Sequence, residues 1–226
     1  LLLSIVLLIL LDSQGKFGLF LFISISFMLS QAFKQHFELY KHISNKANKD
    51  YLTGLNNHGY FKELFEKEIS IARESGQPLS VGLLDLDDFK KYNDLYGHIQ
   101  GDQLLKEFGA LLIKESAANS FTVARYGGEE FSILMPNTVE SDAYQFLNDL
   151  RKKINDTYFK GVDALPYGCL SFSAGVAQWQ NDTYSISELL NKADEAMYFA
   201  KAQGKNLVQI YRSEERRVGK ECPLLC

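Results

Sequence analysis

The sequence has fewer basic than acidic residues and few cysteines, and it does not begin with methionine. Lysine and arginine number 24 against 28 aspartates and glutamates, which gives a net charge of −4. A nucleic-acid-binding domain would carry a basic surface, so the charge balance argues against nucleic acid as a partner. Of the three cysteines, only Cys169 falls in the region with a domain-like composition. A lone thiol fits a reducing compartment and excludes a fold held by disulfides.

The amino-terminal residues are apolar. Residues 1–11 carry no charge and do not begin with methionine, so we expect them to be the end of a helix that starts upstream. After a short polar turn, residues 17–33 are uncharged, close to the minimum length that spans a hydrocarbon core of ~30 Å. A cleaved signal peptide is the alternative, but neither a basic leading region nor a small-residue cleavage site is visible. The sequence therefore predicts an anchor in the inner or cell membrane through residues 1–33.

Lysines set the expected orientation of this anchor. Four of them follow the second apolar segment, whereas Lys16 alone lies in the loop before it; the four are Lys34, Lys41, Lys46 and Lys49. The positive-inside rule then places the remainder of the chain in the cytoplasm.

Two further segments flank the expected domain. In residues 34–49, apolar and small side chains recur at steps of three and four, which predicts a helical linker. Such a helix could pair with a second copy or pack on its own domain, and both alternatives stay open. Residues 212–226 resemble the translation of a sequencing adapter, and we expect them to take no part in the fold. A genuine charged tail is the alternative.

Hydrophobic periodicity predicts one α/β domain over residues 50–211. Strands are expected at residues 79–87, on both sides of a hairpin at 121–135, at 170–178 and at 207–211. Helices are expected after the N-cap residue Asn57, around residues 104–112, over 139–155 and after a capping box at Ser185. The order β-α-β-β-α-β predicts a ferredoxin-like sheet with its helices on one face.

The predicted strand over residues 79–87 is apolar on both faces, as in a central, doubly covered strand. Asp85 and Asp87 share one face at its carboxyl end, where open α/β sheets bind their ligands. Burying Asp85 without a cation or a hydrogen-bond donor would be costly. The alternative is an aspartate that simply ends a strand in a turn.

The sequence RYGGEEF at residues 125–131 predicts a hairpin that turns at Gly127 and Gly128. Glycines allow an anion to approach the backbone closely. The carboxylates of Glu129 and Glu130 follow at once and could hold a divalent cation beside that anion. A surface hairpin with two solvated acids is the alternative.

Six motifs together resemble the GGDEF family of diguanylate cyclases over residues 50–211. They are DYLTGLNN (50–57), DLDDFKKYNDLYGH (85–98), GDQLL (101–105), RYGGEEF (125–131), SAGVA (173–177) and ADEAMYFAKAQGKN (193–206). The resemblance implies a nucleotidyl-cyclase fold and the condensation of two GTP molecules into cyclic di-GMP with release of two pyrophosphates. Phosphoryl transfer of this kind depends on positioning and charge neutralisation.

The resemblance also implies which residues act. Asp85, the Leu86 carbonyl and Glu129 are expected to bind Mg²⁺, with Mn²⁺ as a possible substitute. Glu129 is also the expected catalytic group that assists deprotonation of the 3′-hydroxyl, with Glu130 contributing. Asp87 is expected to orient the metal ligands, and Asp88 to be a solvated acid.

The substrate residues follow in the same way. Asp102, Asn93 and His98 are expected at the guanine base, and Asp102 argues against ATP because adenine lacks the matching donors. The phosphates are expected to meet a set of cationic and backbone groups: Lys90, Lys201, Lys205, the backbone at Phe89, and Gly127 with Gly128. Lys205 replaces the family's more usual arginine, which keeps the charge but loses the bidentate geometry.

A further expectation concerns assembly. One domain holds one GTP, so the product requires a homodimer.

Many family members carry an Arg-x-x-Asp site that binds product, but here Ala118 and Phe121 replace its two charged residues. We therefore expect no inhibitory product site.

Arg125 is expected to be structural. The alternative to an active enzyme is a silent GGDEF-like module that binds GTP or recruits a partner.

Overall fold

The structure is a computed structural model that describes residues 4–6, 15–179 and 185–212. It divides into two compact units, Leu1–Ala47 and Asn48–Cys226. Most of the predicted first apolar segment and nearly all of the predicted adapter-like tail lie outside the described residues.

The first unit contains one long helix, α1 (Lys16–Ala47). It runs without a break through the predicted membrane segment and through the predicted linker as far as Ala47. Among the described residues, one stretch, Phe17–Leu39, is long and apolar enough to cross a membrane. At 1.5 Å per residue its 23 residues exceed the ~30 Å hydrocarbon core. Its large apolar side chains are mostly exposed, among them Phe20, Phe27 and Phe33.

The second unit is an α/β domain. In chain order its elements are β1 (Asn56–Asn57), α2 (His58–Ser75), β2 (Leu79–Leu86), α3 (Phe89–Tyr96), α4 (His98–Ala117), β3 (Thr122–Gly127), β4 (Glu130–Pro136), α5 (Glu140–Asp156), a 3-10 turn (Val162–Ala164), β5 (Phe172–Gln178), α6 (Ile186–Ala202) and β6 (Val208–Ile210). The short helix α3 and the two-residue strand β1 are additions to the predicted elements.

The six strands form one sheet in the order β1-β3-β4-β2-β5-β6. The four central strands are antiparallel to their neighbours, whereas β1 and β6 join the edges in parallel. Strands β2, β3, β4 and β5 with their connecting helices form the expected βαββαβ unit. The predicted ferredoxin-like class is therefore confirmed.

The prediction that helices lie on one face of the sheet holds for α4 and α5, which connect the strands of the βαββαβ unit, and is wrong for α2 and α6, which cover the other face. Alternate residues of β2 enter two separate cores: Val81 and Leu83 pack with α2 and α6, and Leu84 and Leu86 pack with α4 and α5. All eight β2 residues are buried. The two-sided apolar pattern of this strand already required helices on both faces, because each face must be covered.

Two predicted helix caps are confirmed. The Asn57 side chain accepts a hydrogen bond of 3.0 Å from the backbone N–H of Tyr60 and so begins α2. Ser185 and Glu188 form the complete capping box of α6, with backbone-to-side-chain distances of 3.2 and 2.6 Å. Each cap satisfies N–H groups that a helix start leaves without partners.

Two glycines in neighbouring strands have little space for a side chain, because helices cover the sheet at both positions. A Cβ at Gly175 would lie 1.9 Å from the backbone oxygen of Ala193, whereas one at Gly82 would meet the end of the Leu147 side chain at 2.7 Å. We expect Gly175→Ala to reduce the free energy of unfolding by about 1–3 kcal/mol or more, and by more than Gly82→Ala does, because a helix backbone yields less than a leucine tip. Urea unfolding of the two variants measures the difference, and equal losses would contradict this account of the β5–α6 contact.

Candidate active site

The site forms where β2 ends beside the turn between β3 and β4. Asp85 pairs with Glu130 across the two antiparallel strands, so their side chains lie on the same face of the sheet. The turn itself is Gly128–Glu129, one residue later than predicted, because Gly127 still pairs with Glu130 after a bulge in β3. Gly128 has φ +51, a left-handed conformation that favours glycine. The register thus brings Asp85, Glu129 and Glu130 close together.

These three carboxylates disfavour one another's charge. Burial raises the pKa of Asp85, and the neighbouring Asp87 adds to this while Lys201 opposes it. Burial also raises the pKa of Glu129 and of Glu130, and the negative charge of Asp85 adds to both effects. Acids whose charge is disfavoured in this way bind protons or a metal cation readily. A cation bound beside them would therefore relieve this mutual repulsion.

Two lysines from the carboxyl end of α6 and the turn after it reach this face. Lys201 Nζ lies 2.8 Å from Asp85 Oδ1, and Lys205 Nζ lies 2.8 Å from Asp88 Oδ1. The prediction that Asp88 is a solvated acid is therefore wrong, since it is the partner of a cation. Both lysine side chains stay about one third exposed, and both line the cleft at this end of β2.

Asp87 is buried and fully hydrogen-bonded. Its carboxylate accepts hydrogen bonds from the hydroxyls of Ser171 (3.0 Å) and Ser173 (2.7 Å) and from the backbone N–H of Asn206 (2.9 Å). These contacts join the end of β2 to β5 and to the turn before β6. Sequence reasoning missed the two serines and Asn206, although the alternation of serine in residues 171–173 was the available signal.

Arg125 holds the hairpin turn. Its guanidinium donates to the Gly128 carbonyl through Nε (2.9 Å) and Nη2 (2.7 Å), and Nη1 pairs with Asp50 at 3.2 Å. Burial opposes ionisation of Asp50, but hydrogen bonds from Thr53 and the charge of Arg125 hold its pKa below the usual value. Arg125 thus links the hairpin turn to Asp50, in the loop before β1.

A cleft of about 400 Å³ collects most of the predicted phosphate and metal residues. Its predicted members are Asp85, Leu86, Phe89, Lys90, Glu129, Lys201 and Lys205. Asp87, Asp88, Lys91 and Asp94 also line it. The amino terminus of α3 begins at Phe89 in this wall, and helix amino termini attract anions.

The other predicted residues lie outside that cleft lining. Asn93 belongs to α3, and His98 and Asp102 belong to the first turns of α4, with both of these side chains exposed. Glu130 lines a different cavity of about 250 Å³ between the hairpin and α6. Gly127 is exposed, and a Cβ there would meet no atom within 4 Å.

The donors at the cleft fit a hard divalent cation. Within the part of the chain that the structure describes, no group of three or more His, Cys, Asp or Glu side chains could hold a metal ion. A cation would therefore draw on the carboxylates of Asp85 and Glu129 and a backbone carbonyl such as that of Leu86. The remaining oxygens would come from substrate or water, the mixed ligand set that Mg²⁺ accepts.

Comparison with known proteins assigns the chain to a family. The model of the family described as "Diguanylate cyclase, GGDEF domain" matches residues 47–207. The chain belongs to this family of GGDEF-domain diguanylate cyclases, whose members generally use divalent metals.

Named relatives and solved structures agree with that assignment. The chain is 33% identical over 177 residues to the diguanylate cyclase DosC of Escherichia coli K12, a match that covers 78% of this chain and 38% of DosC. The GGDEF domain of DgcB from Caulobacter crescentus, solved in complex with c-di-GMP, superposes with a TM-score of 0.67 at 30% identity, covering 74% of this chain and 97% of that one. The active GGEEF domain of a diguanylate cyclase from Vibrio cholerae gives 0.59 at 29%, covering 65% and 91%.

The raised pKa of Glu129 predicts a gain in stability when its charge is removed. Because the folded state binds the Glu129 proton more tightly than the unfolded state does, the ionised carboxylate lowers the free energy of unfolding at neutral pH. That loss disappears as the pH falls. We expect Glu129→Gln, without divalent metal, to be at least as stable as wild type at pH 7. Its advantage should shrink as the pH falls towards the ordinary carboxyl range, about pH 4. Urea unfolding in a chelating buffer at both pH values measures this.

Glu188→Gln is the matched control, because it makes the same chemical change with the opposite expected sign. The backbone hydrogen bond from Ser185 lowers the pKa of Glu188, so its ionised form stabilises the fold above its unfolded pKa. That variant should lose stability at pH 7, and the loss should fade as the pH falls. A destabilised Glu129→Gln at pH 7 would contradict the electrostatic account of the site.

Proposed function

We propose that this chain is a membrane-anchored diguanylate cyclase that joins two GTP molecules into cyclic di-GMP with release of two pyrophosphates. The observation that carries the proposal is the meeting of Asp85 and Glu129 with Lys201 and Lys205 in one cleft. Carboxylates suited to a cation and lysines suited to phosphates are the two charge classes that a nucleoside triphosphate requires. The third motif position is Glu129 rather than aspartate, as in the relative whose GGEEF domain is described as active.

The chain's own residues would act mainly by position and charge. Lys201 and Lys205 would leave their carboxylate partners and meet the triphosphate, together with Lys90 and the backbone N–H groups at the start of α3. Glu129, which lines the cleft beside Asp85, would assist removal of the proton of the attacking 3′-hydroxyl. The α-phosphate of the second GTP is the proposed point of attack.

Mg²⁺ is the proposed cation, held by Asp85, Glu129 and the Leu86 carbonyl, with Mn²⁺ as a substitute. When bound, such an ion neutralises phosphate charge and polarises the oxygens of the reacting phosphoryl group. Asp87 would keep the backbone between Leu86 and Phe89 in place, since three hydrogen bonds already fix its carboxylate.

Guanine recognition is proposed for the junction of α3 and α4. The carboxylate of Asp102 would accept from the N1–H and N2–H₂ groups of guanine, which adenine lacks. Asn93 would add its amide, and His98 lies at the start of the same helix α4. The Asn93 Oδ1 atom is buried and has no hydrogen-bond partner among the described residues. An unsatisfied polar atom against Gly101, the residue before Asp102, supports a polar ligand at this junction.

The anchor and the dimer complete the proposal. The stretch Phe17–Leu39 of α1 would cross the membrane, with the cyclase domain in the cytoplasm. One cleft offers groups for one GTP, so a homodimer would bring two substrates together, and a shared membrane anchor raises the effective concentration of the two domains. This chain spans 38% of the length of DosC, and the whole protein's activity and partners are part of the proposal.

A direct assay tests the activity. The full chain in detergent micelles, incubated with GTP and Mg²⁺, should form cyclic di-GMP that chromatography resolves, and ATP should give no cyclic product. Glu129→Gln should lower the initial rate by at least about 100-fold, because it removes a group expected to act on both the cation and the proton. Glu188→Gln makes the same change on the surface of α6 and should keep the wild-type rate.

Each contrary outcome has a distinct meaning. Near-wild-type turnover by Glu129→Gln would refute the role of Glu129. A wild-type chain that binds GTP in calorimetry without forming product would support the silent GTP-binding module instead.

Feedback by product is expected to be absent. Ala118 caps the end of α4, and the Phe121 ring packs edge-on against Phe146 at 4.9 Å, so neither can form a charge-assisted bond to a phosphate or guanine. Initial rates should therefore stay constant as cyclic di-GMP is added through the micromolar range. Inhibition that disappears on Asn119→Ala or Ser120→Ala would reveal a product site in this stretch.

A further inference from the structure

The backbone conformation at Gly101 does not require a glycine. It is the fourth residue of α4 and is buried. Its φ lies outside the left-handed region, so any L-residue could adopt the conformation. Alanine is the better residue inside a helix, since glycine loses more conformational freedom on folding. The reason for a glycine here must lie in what surrounds it.

The Asn93 side chain occupies the space that a side chain at Gly101 would fill. A Cβ at this position would lie 1.9 Å from Asn93 Oδ1, 3.0 Å from Asn93 Cγ and 3.2 Å from Phe89 Cζ. The first distance is far below any real contact, and it would be so for either orientation of the amide, because its nitrogen and oxygen are of similar size. A side chain at position 101 therefore forces Asn93 into another conformer.

Relief of that clash need not disturb the fold. The closest atom is the end of a side chain, and Asn93 Oδ1 has no hydrogen-bond partner among the described residues, so moving it breaks no bond. A second buried glycine of the same helix, Gly109, differs in this respect. A Cβ at Gly109 would meet Thr53 Cβ at 3.1 Å and Leu55, which belong to the loop before β1.

We propose that Gly101 is a positioning residue for base recognition: its missing side chain leaves room for the conformer in which the Asn93 amide packs against Gly101, the residue before Asp102 in sequence. This inference rests on the proposed function, in which Asn93 reads guanine. It adds that the residue at position 101 controls guanine recognition by setting the conformer of Asn93. A glycine at this position lowers the helix propensity of α4 but leaves that conformer free. Gly101 itself contacts no substrate atom in this scheme.

A double-mutant cycle tests the proposal. The full chain in detergent micelles is compared as wild type, Gly101→Ala, Asn93→Ala and the double variant, with kcat and KM for GTP and the melting temperature measured for each. In the wild-type background, Gly101→Ala should raise KM by about 10- to 100-fold, the effect of losing a well-placed polar contact. Its melting temperature should be unchanged or higher, because alanine favours the helix.

In the Asn93→Ala background, the same Gly101→Ala change should alter KM by less than about threefold, since the clashing atoms are gone. The control Gly109→Ala should leave KM unchanged. A pure packing role for Gly101 would instead lower the melting temperature of Gly101→Ala and leave its KM for GTP unchanged.

The outcomes separate this inference from the proposed function. An active wild type with unchanged KM in Gly101→Ala, or with equal effects in both backgrounds, overturns the inference alone. If the wild type binds GTP without turnover, the cyclase proposal fails, and the same cycle measured as Kd by calorimetry still decides the role of Gly101. A wild type that binds no GTP overturns both.

Discussion

The register of β2 between β4 and β5 fixes the composition of the site. Asp85 stands opposite Glu130 on one side and Ser173 on the other. Because side chains alternate across a strand, a slip of one residue would turn Asp85 away from the hairpin and away from Lys201. Such a slip would also move apolar residues of a strand that is buried on both faces. The hydrophobic cores therefore determine which charged groups meet at the end of the strand.

Two aspartates two residues apart differ because their partners differ. Asp87 accepts three hydrogen bonds from groups whose positions the sheet fixes, so its carboxylate serves the structure. Asp85 has a flexible lysine as its ion-pair partner and two nearby glutamates that oppose its charge. A carboxylate with an exchangeable partner can take up a cation at little structural cost, whereas one bound by the fold cannot. Hydrogen bonding thus distinguishes an acid that anchors the fold from one whose partner can be exchanged.

Much of the fold followed from local patterns, and the errors have physical causes. The apolar strand 79–87 and the caps at Asn57 and Ser185 were predicted because periodicity and capping act over a few residues. The turn was placed one residue early because the bulge in β3 depends on pairing with β4, which sequence does not display. Helix α3 was missed because eight residues give too short a period to detect. The pairing of Asp88 with Lys205 joins residues 117 positions apart, beyond any local signal.

Backbone conformation around the cleft shows how these long-range contacts support one another. Asp88, Lys205 and Asn206 all have positive φ values, between +50 and +65, which cost energy in residues with side chains. They belong to two turns that hold each other: the Lys205 ammonium pairs with Asp88, and the Asn206 N–H donates to Asp87. Each turn is therefore supported by the other, and the Asn206–Asp87 hydrogen bond joins them even when Lys205 is engaged elsewhere. The cleft is thus a property of the assembled sheet, and its shape depends on β2 and β6 reaching it together.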